Sequence, residues 1–172
     1  TRRRFVEPFT QFIDHTLAVA ELAVTLVEQS RLGHFDILEL LTEPDCWRTY
    51  TGASGAAEWL KPDLYVVTAD PNVEAHAFIE IDRGSEHLPA IIRKCLAYQR
   101  YWRSGIEQAR LDLFPAVVWV VPDETRAQKM RTAIRGEPAL TAELFHIVPT
   151  VDAADAFAPD SPITNSPKGG TP

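Results

Sequence analysis

The segment 114–121, FPAVVWVV, contains no polar side chain. A strand of this kind is stable only when both of its faces are covered, as they are for an inner strand of a sheet flanked by helices. Residues 9–31 place large apolar side chains near helical spacing, and Gly33 follows as a helix-ending residue. The two patterns together predict an α/β domain in which helices pack on a central sheet.

The rest of the chain supplies the other elements of that sheet. Strands are expected at 35–47, with fraying beyond Glu43-Pro44, and at 64–68, 74–82 and 144–148. Helices are expected at 86–104 and 123–135, and a loop at 49–58. The predicted order is αβββαβαβ. A hairpin followed by helical crossovers gives a mixed sheet, because the hairpin is antiparallel and the crossovers join parallel strands.

Composition changes at both ends of the predicted domain, which spans residues 9–150. Residues 1–8 form a basic lead-in that begins with Thr1 rather than Met, so we expect a truncated piece of a longer protein. Residues 151–172 are rich in Pro, Ala, Asp and Gly and contain few large apolar residues. Such a segment buries too little apolar surface to offset the entropy of ordering it, which predicts a disordered tail.

Charge and cysteine content narrow the class of protein. The formal net charge of −7 excludes a protein that coats DNA through bulk positive charge, although it permits a local basic groove. No apolar run reaches the length of a membrane span. Two cysteines in 172 residues are too few for a disulfide scaffold, which favours a cytoplasmic location.

Three acids fall at strand ends. Glu80 and Asp82 are two residues apart on one predicted strand and share a face, and Asp63 begins the neighbouring strand. Carboxylates that converge in this way form a hard-oxygen site suited to Mg²⁺ or Mn²⁺. The alternative is a solvent-facing hairpin edge whose acids pair with Lys61 and Arg83.

The order of the elements and these acids together resemble the PD-(D/E)XK nuclease core. The motif stands as Pro62-Asp63 and Glu80-Ile81-Asp82, with Asp82 in the place of the usual lysine. Some members of that superfamily have the lysine on the following helix, where this chain offers Lys94. The helical pattern alone leaves Lys94 open to a second interpretation, a solvated position.

A narrower resemblance is carried by the segments 15–21 (HTLAVAE), 62–65 (PDLY) and 78–84 (FIEIDRG), followed by Lys94 and Tyr98. These segments are similar to the replication-relaxation family of plasmids and mobile elements. The resemblance implies a role for the domain in plasmid replication and in relaxing DNA, through metal-dependent nicking.

The resemblance also implies roles for individual residues. Asp63 and Glu80 would bind Mg²⁺ or Mn²⁺, with Glu21 completing the metal shell. Lys94 would activate water or balance the phosphate charge. Asp82 is either a further metal ligand or the reason that catalysis has been lost. His15, which begins the first of the similar segments, is interpreted as a packing or capping residue.

A basic stretch is the candidate DNA surface. Residues 83–110 contain six basic and two acidic side chains, a local net charge of +4. Basic residues interleaved with aromatic rings are typical of nucleic-acid surfaces. The candidates are Arg83, Arg93, Tyr98, Arg100, Tyr101 and Arg103. The alternative is a solvated helix whose aromatic residues pack inward. A second basic face, Arg126 with Lys129, Arg131 and Arg135, is interpreted as solvated.

Three hypotheses follow. The first is a Mg²⁺-dependent endonuclease or nickase that acts on plasmid or mobile-element DNA. The second, an alternative without catalysis, is a DNA-binding or assembly module that retains the nuclease fold and binds other replication proteins. The third is a regulatory domain that binds another protein.

Overall fold

A computed structural model describes residues 8–52, 54–158, 161 and 163, excluding the side chains of residues 8, 9 and 11. The helices are α1 (Pro8–Arg31), α2 (Leu88–Ser104), α3 (Ile106–Leu111) and α4 (Glu124–Arg135). The strands are β1 (Asp36–Thr42), β2 (Arg48–Thr51), β3 (Ala57–Leu60), β4 (Leu64–Ala69), β5 (Glu74–Ile81), β6 (Ala116–Val121) and β7 (Phe145–Pro149). No helix among these residues is long and apolar enough to cross a lipid bilayer.

The central sheet has five strands in the order β1-β4-β5-β6-β7. The pairs β1–β4 and β4–β5 are antiparallel, whereas β5–β6 and β6–β7 are parallel. Every residue of β6 is buried. This agrees with its fully apolar sequence, which predicts a strand covered on both faces. The predicted mixed sheet flanked by helices is therefore confirmed.

Helices cover both faces of the sheet. Because successive side chains of a strand point to opposite faces, neighbouring residues contact different helices. On one face, Leu22 and Leu26 of α1 pack against Ile79 and its neighbours. On the other face, α2 and α4 pack against Phe78 and Trp119. Glu80 has the parity of Phe78, so the pleat directs it towards α2.

The predicted helix ends agree with the structure. Gly105 ends α2 with a φ of 71°, a left-handed conformation that glycine adopts without a steric penalty. Asp123 caps α4, and its side chain accepts a hydrogen bond of 2.8 Å from the backbone N–H of Arg126.

The first strand, expected to fray beyond Glu43-Pro44, ends at Thr42. One prediction between β1 and β4 was wrong. The loop predicted at 49–58 instead belongs to an antiparallel hairpin, β2 and β3, in which Tyr50 pairs with Glu58. The small residues at the tip of the hairpin hid its two four-residue strands, which lie outside the main sheet and pack through Tyr50 and Leu60. Helix α3 was also not predicted.

The boundary of the predicted disordered tail was also wrong. Residues 150–152 and 155–157 form short 3₁₀ turns, and Phe157 and Ile163 are buried against the α1 face of the sheet. The prediction used the average composition of the segment, which is polar and small. It therefore overlooked these two apolar side chains, which cover apolar residues on the α1 face of the sheet. Residues 159, 160, 162 and 164–172 lie outside the described part of the chain, as do residues 1–7 of the basic lead-in.

Candidate active site at the sheet edge

The antiparallel pairing of β4 and β5 brings Asp63 and Glu80 together. Leu64 pairs with Ile79, so Asp63, one residue earlier, lies opposite Glu80. The backbone N–H of Asp63 donates to the Ile79 carbonyl (3.0 Å), and Asp63 Oδ2 accepts from the Ile81 N–H (2.7 Å). The Asp63 carboxylate is therefore fixed to the backbone of the strand that contains Glu80.

Glu80 is a buried carboxylate with two polar partners. Its side chain is 3% exposed, and Oε1 accepts a 2.6 Å hydrogen bond from the Tyr98 hydroxyl. Burial, followed by the nearby charge of Asp63, raises the pKa of Glu80 to about 7. The site thus contains more negative charge than its surroundings fully compensate.

Lys94 extends from α2 to the same carboxylate. Its Nζ lies 3.3 Å from Glu80 Oε2 and 3.3 Å from Glu86 Oε1. Burial acts to lower the pKa of Lys94, but the two glutamates outweigh it and hold that pKa above the ordinary value. The ammonium also lies 5.6 Å from the centre of the Trp119 ring. Of the two interpretations left open, the structure favours the one in which Lys94 reaches the acids.

Asp63 forms a hydrogen bond with His15, which the sequence had suggested was a packing or capping residue. His15 on α1 places Nε2 3.0 Å from Asp63 Oδ1, and this hydrogen bond raises the pKa of the imidazole against the effect of burial. Spacing contained a signal, because His15 lies seven and eleven residues before Leu22 and Leu26. Those separations put all three on the face of α1 that covers the sheet.

Asp82 forms hydrogen bonds with a different set of residues from those that contact Asp63 and Glu80. Arg126 of α4 donates from Nε to Asp82 Oδ2 at 2.6 Å, and the Gly84 N–H donates to Oδ1 at 3.0 Å. Arg126 also donates to the Glu86 carbonyl and is only 15% exposed, so its predicted solvated position was wrong. These contacts give Asp82 a structural role between β5 and α4.

A depression of about 270 Å³ opens beside these residues, between α1 and the segment that follows β5. Its lining includes His15, Arg83 and Glu86. Glu86 Oε2 is buried and has no hydrogen-bond partner among the residues described. An unsatisfied carboxylate oxygen next to Lys94 marks a place where a cation or a polar ligand would be stabilised.

The replication-relaxation family model matches residues 1–117. The chain belongs to the replication-relaxation family. A search of curated proteins and a search of solved structures gave no match. Membership in this family suggests a role in plasmid replication or relaxation.

The replication-relaxation match covers α1 to the start of β6 and therefore contains His15, Asp63, Glu80 and Lys94. Arg126, the partner of Asp82, lies beyond it. Within residues 8–158, apart from residue 53, and at 161 and 163, no three His, Cys, Asp or Glu side chains are grouped so that they could hold a metal ion. Asp63 and Glu80 remain as the pair that could contribute ligands. Glu21, the predicted third ligand, is exposed on α1 six residues beyond His15.

The predicted DNA surface is reduced by burial. Tyr98 and Tyr101 are each 1% exposed, so the prediction that their rings stack on DNA was wrong. The physical reason is that each phenol donates to a buried glutamate, Tyr98 to Glu80 and Tyr101 to Glu107. The inward packing that was the alternative interpretation applies to both rings.

The predicted arginines remain near the surface, several with partners. Arg83 pairs with Asp14 at 3.1 Å, and Arg100 pairs with Glu58 of the hairpin at 3.2 Å. Arg93 and Arg103 are exposed on α2.

Proposed function

We propose that this domain hydrolyses a phosphodiester bond of plasmid or mobile-element DNA in a Mg²⁺- or Mn²⁺-dependent reaction, giving a nick that relaxes the DNA. The observation that supports the proposal best is the meeting of Asp63, Glu80 and Lys94 at one edge of the sheet. This is the arrangement expected of a PD-(D/E)XK-like centre whose lysine lies on the following helix.

The donor set fits a hard divalent cation. Mg²⁺ in proteins is commonly held by one or two carboxylates together with water and substrate phosphate, and Asp63 and Glu80 supply two. The raised pKa of Glu80 and the unsatisfied Oε2 of Glu86 both indicate negative charge that a cation would stabilise. When bound, the cation would polarise the phosphate and lower the pKa of a coordinated water.

The residues of the chain orient the reactants and balance charge. His15 and the Ile81 N–H hold the Asp63 carboxylate in one orientation, and the Tyr98 hydroxyl holds Glu80. Because the pKa of Lys94 is raised, its ammonium stays protonated at neutral pH. Lys94 is therefore suited to stabilise charge on the attacked phosphate and unsuited to remove a proton from water.

A specific observation favours a second candidate, a non-catalytic DNA-binding or assembly module. Each motif acid already has a basic partner: Asp63 has His15, Glu80 has Lys94, and Asp82 has Arg126. Three such pairs reduce the need for a cation to balance the acids.

Conversion of supercoiled plasmid to nicked circles separates the two candidates. The 172-residue chain is incubated with plasmid and Mg²⁺, Mn²⁺ or a chelator, beside Asp63→Asn, Glu80→Gln and Lys94→Ala. We expect the wild-type chain to nick plasmid with Mg²⁺ or Mn²⁺ and not with the chelator. The nicking rate of Lys94→Ala should be lower by about 10²- to 10³-fold, the usual effect of removing one charge-stabilising group.

Lys129→Ala, which removes an exposed lysine of α4, is the matched control and should nick at the wild-type rate. If the wild-type protein binds plasmid but fails to nick it with either metal, the nuclease proposal is rejected in favour of the non-catalytic module.

A further inference from the structure

The hairpin of β2 and β3 places a tryptophan on its outer face. Leu60 and Tyr50 point into the core, so alternation directs Trp59 outward, where its side chain is 58% exposed. A single exposed apolar side chain is common on protein surfaces and indicates little by itself. Trp59 differs because two neighbouring side chains, Trp47 and Lys61, lie against its ring.

Two neighbours define that arrangement. The Trp47 ring meets Trp59 edge to face, with centroids 6.2 Å apart and planes at 86°. The Lys61 ammonium lies 4.2 Å from the centre of the Trp47 ring and 5.8 Å from that of Trp59. We call these three side chains the Trp–Lys platform. An aromatic face and a nearby ammonium can together bind a nucleotide, because the ring stacks on the base and the charge contacts the phosphate.

The chain places the Trp–Lys platform close to the acid pair. Lys61 is two residues and Trp59 four residues before Asp63. Four residues span at most about 14 Å, a distance covered by roughly four stacked nucleotides at 3.4 Å each. A strand with a phosphate at Asp63 and Glu80 would therefore have bases within reach of Trp59.

We infer that Trp59, braced by Trp47 and Lys61, stacks on an unpaired base of the DNA strand that the Asp63–Glu80 site acts on. The inference rests on the proposed function for the identity of the ligand. Its own evidence is the exposed ring, the edge-to-face contact and the ammonium that lies near both tryptophan rings. An unpaired base is required because the bases of a duplex already stack on one another.

Local charge indicates that stacking contributes more than phosphate attraction. Two acids, Glu43 and Asp45, lie in the segment before Trp47. Arg100 is paired with Glu58 of the hairpin, so its charge is already balanced. Lys61 is therefore the main cation of the Trp–Lys platform. Its removal should lower the slope of log affinity against log salt by about 0.7, the value for one phosphate contact on a single strand.

The test is equilibrium binding of a fluorescently labelled oligodeoxythymidylate of about 15 nucleotides, near the upper end of site sizes for such surfaces. The full chain is compared with Trp59→Ala, Trp59→Phe and Leu38→Ala. Leu38, on β1, is also 58% exposed and is the matched control for loss of exposed apolar surface. Urea unfolding midpoints first establish that all variants fold.

We expect Trp59→Ala to weaken binding by about 5- to 150-fold, the range found for loss of one base–aromatic stack. Trp59→Phe should retain most of the affinity, and Leu38→Ala all of it. Affinity for a duplex of the same length should be nearly unaffected by Trp59→Ala.

The inference is overturned if the wild-type chain does not bind the single strand, if Trp59→Ala and Leu38→Ala bind alike, or if duplex binding falls equally. Plasmid nicking distinguishes this failure from that of the proposed function. Loss of the stacking effect with nicking intact rejects the platform alone, whereas Trp59-dependent binding without nicking rejects the nuclease alone.

Discussion

At the scale of single residues, Glu80 combines burial with incomplete charge compensation. The carboxyl group ionises in the folded protein with a pKa of about 7, compared with 4.5 for an unperturbed glutamate. Between these two pH values the unfolded chain has lost a proton that the folded chain retains. The free energy of unfolding therefore falls as pH rises through this window, by at most about 1.4 kcal/mol per pH unit for one group.

Replacing Glu80 with Gln removes this titration and keeps an acceptor for the Tyr98 hydroxyl. We expect the stability of Glu80→Gln relative to wild type to increase between pH about 5 and about 7 and to level off above that, as linkage requires. Urea unfolding at a series of pH values measures the difference.

Glu143→Gln, which changes an exposed glutamate, is the control for removing one carboxylate. A stability difference for Glu80→Gln that stays constant between pH 5 and 8 would show that Glu80 does not titrate in this range.

The residues of the site differ in how far sequence predicts them. Asp63 and Glu80 were identified because acids are costly at strand positions and the hairpin register aligns them. His15 and Arg126 were missed as partners, because 48 and 44 residues separate them from the acids they bind. Contacts across such separations depend on how α1 and α4 pack, which local periodicity does not determine.

At the scale of elements, the Asp82–Arg126 pair joins the end of β5 to α4. The Asp82 side chain is fully buried, and Arg126 is its charged partner among the contacts described. Replacing Arg126 with Ala leaves a buried carboxylate without compensation, which we expect to lower the free energy of unfolding by about 3–5 kcal/mol. Chemical denaturation at neutral pH measures the loss.

The control is a second ion pair on the same helix. Glu124 pairs with Arg131 at 2.6 Å but is 65% exposed, so Glu124→Ala should cost less than about 1 kcal/mol. Equal losses in the two variants would contradict a structural role for Asp82.

The elements themselves were largely predictable where periodicity extends over many residues. α1, α2 and the apolar β6 were predicted with ends close to those observed. The β2–β3 hairpin was not, although Thr-Tyr-Thr and Trp-Leu, both favourable in strands, flank a glycine-containing turn. Strands of four residues give too few alternations to distinguish them from a loop, and the Trp–Lys platform was missed for the same reason.

At the scale of the whole molecule, the acids of the site account for little of the net charge. Asp63, Glu80 and Asp82 are buried, and each is paired with a base inside the fold. With His15 neutral, these three pairs sum to −1, so the remaining −6 of the formal net charge of −7 lies elsewhere on the chain. Positive charge near the acids comes from the exposed arginines of α2 and from Lys61 of the Trp–Lys platform, which makes any attraction for DNA local.

The extent of the folded unit is itself testable, because residues beyond 150 complete the core on the α1 face. Phe157 is 1% exposed there, whereas Val151, in the preceding 3₁₀ turn, is 84% exposed. Phe157→Ala should lower the free energy of unfolding by about 3–5 kcal/mol, the usual loss for a buried phenylalanine. Val151→Ala should change it by less than about 0.5 kcal/mol, as expected for a surface position. Urea unfolding of the full chain measures both. If the two variants unfold alike, the segment after residue 150 adds nothing to the core, and the domain ends at β7.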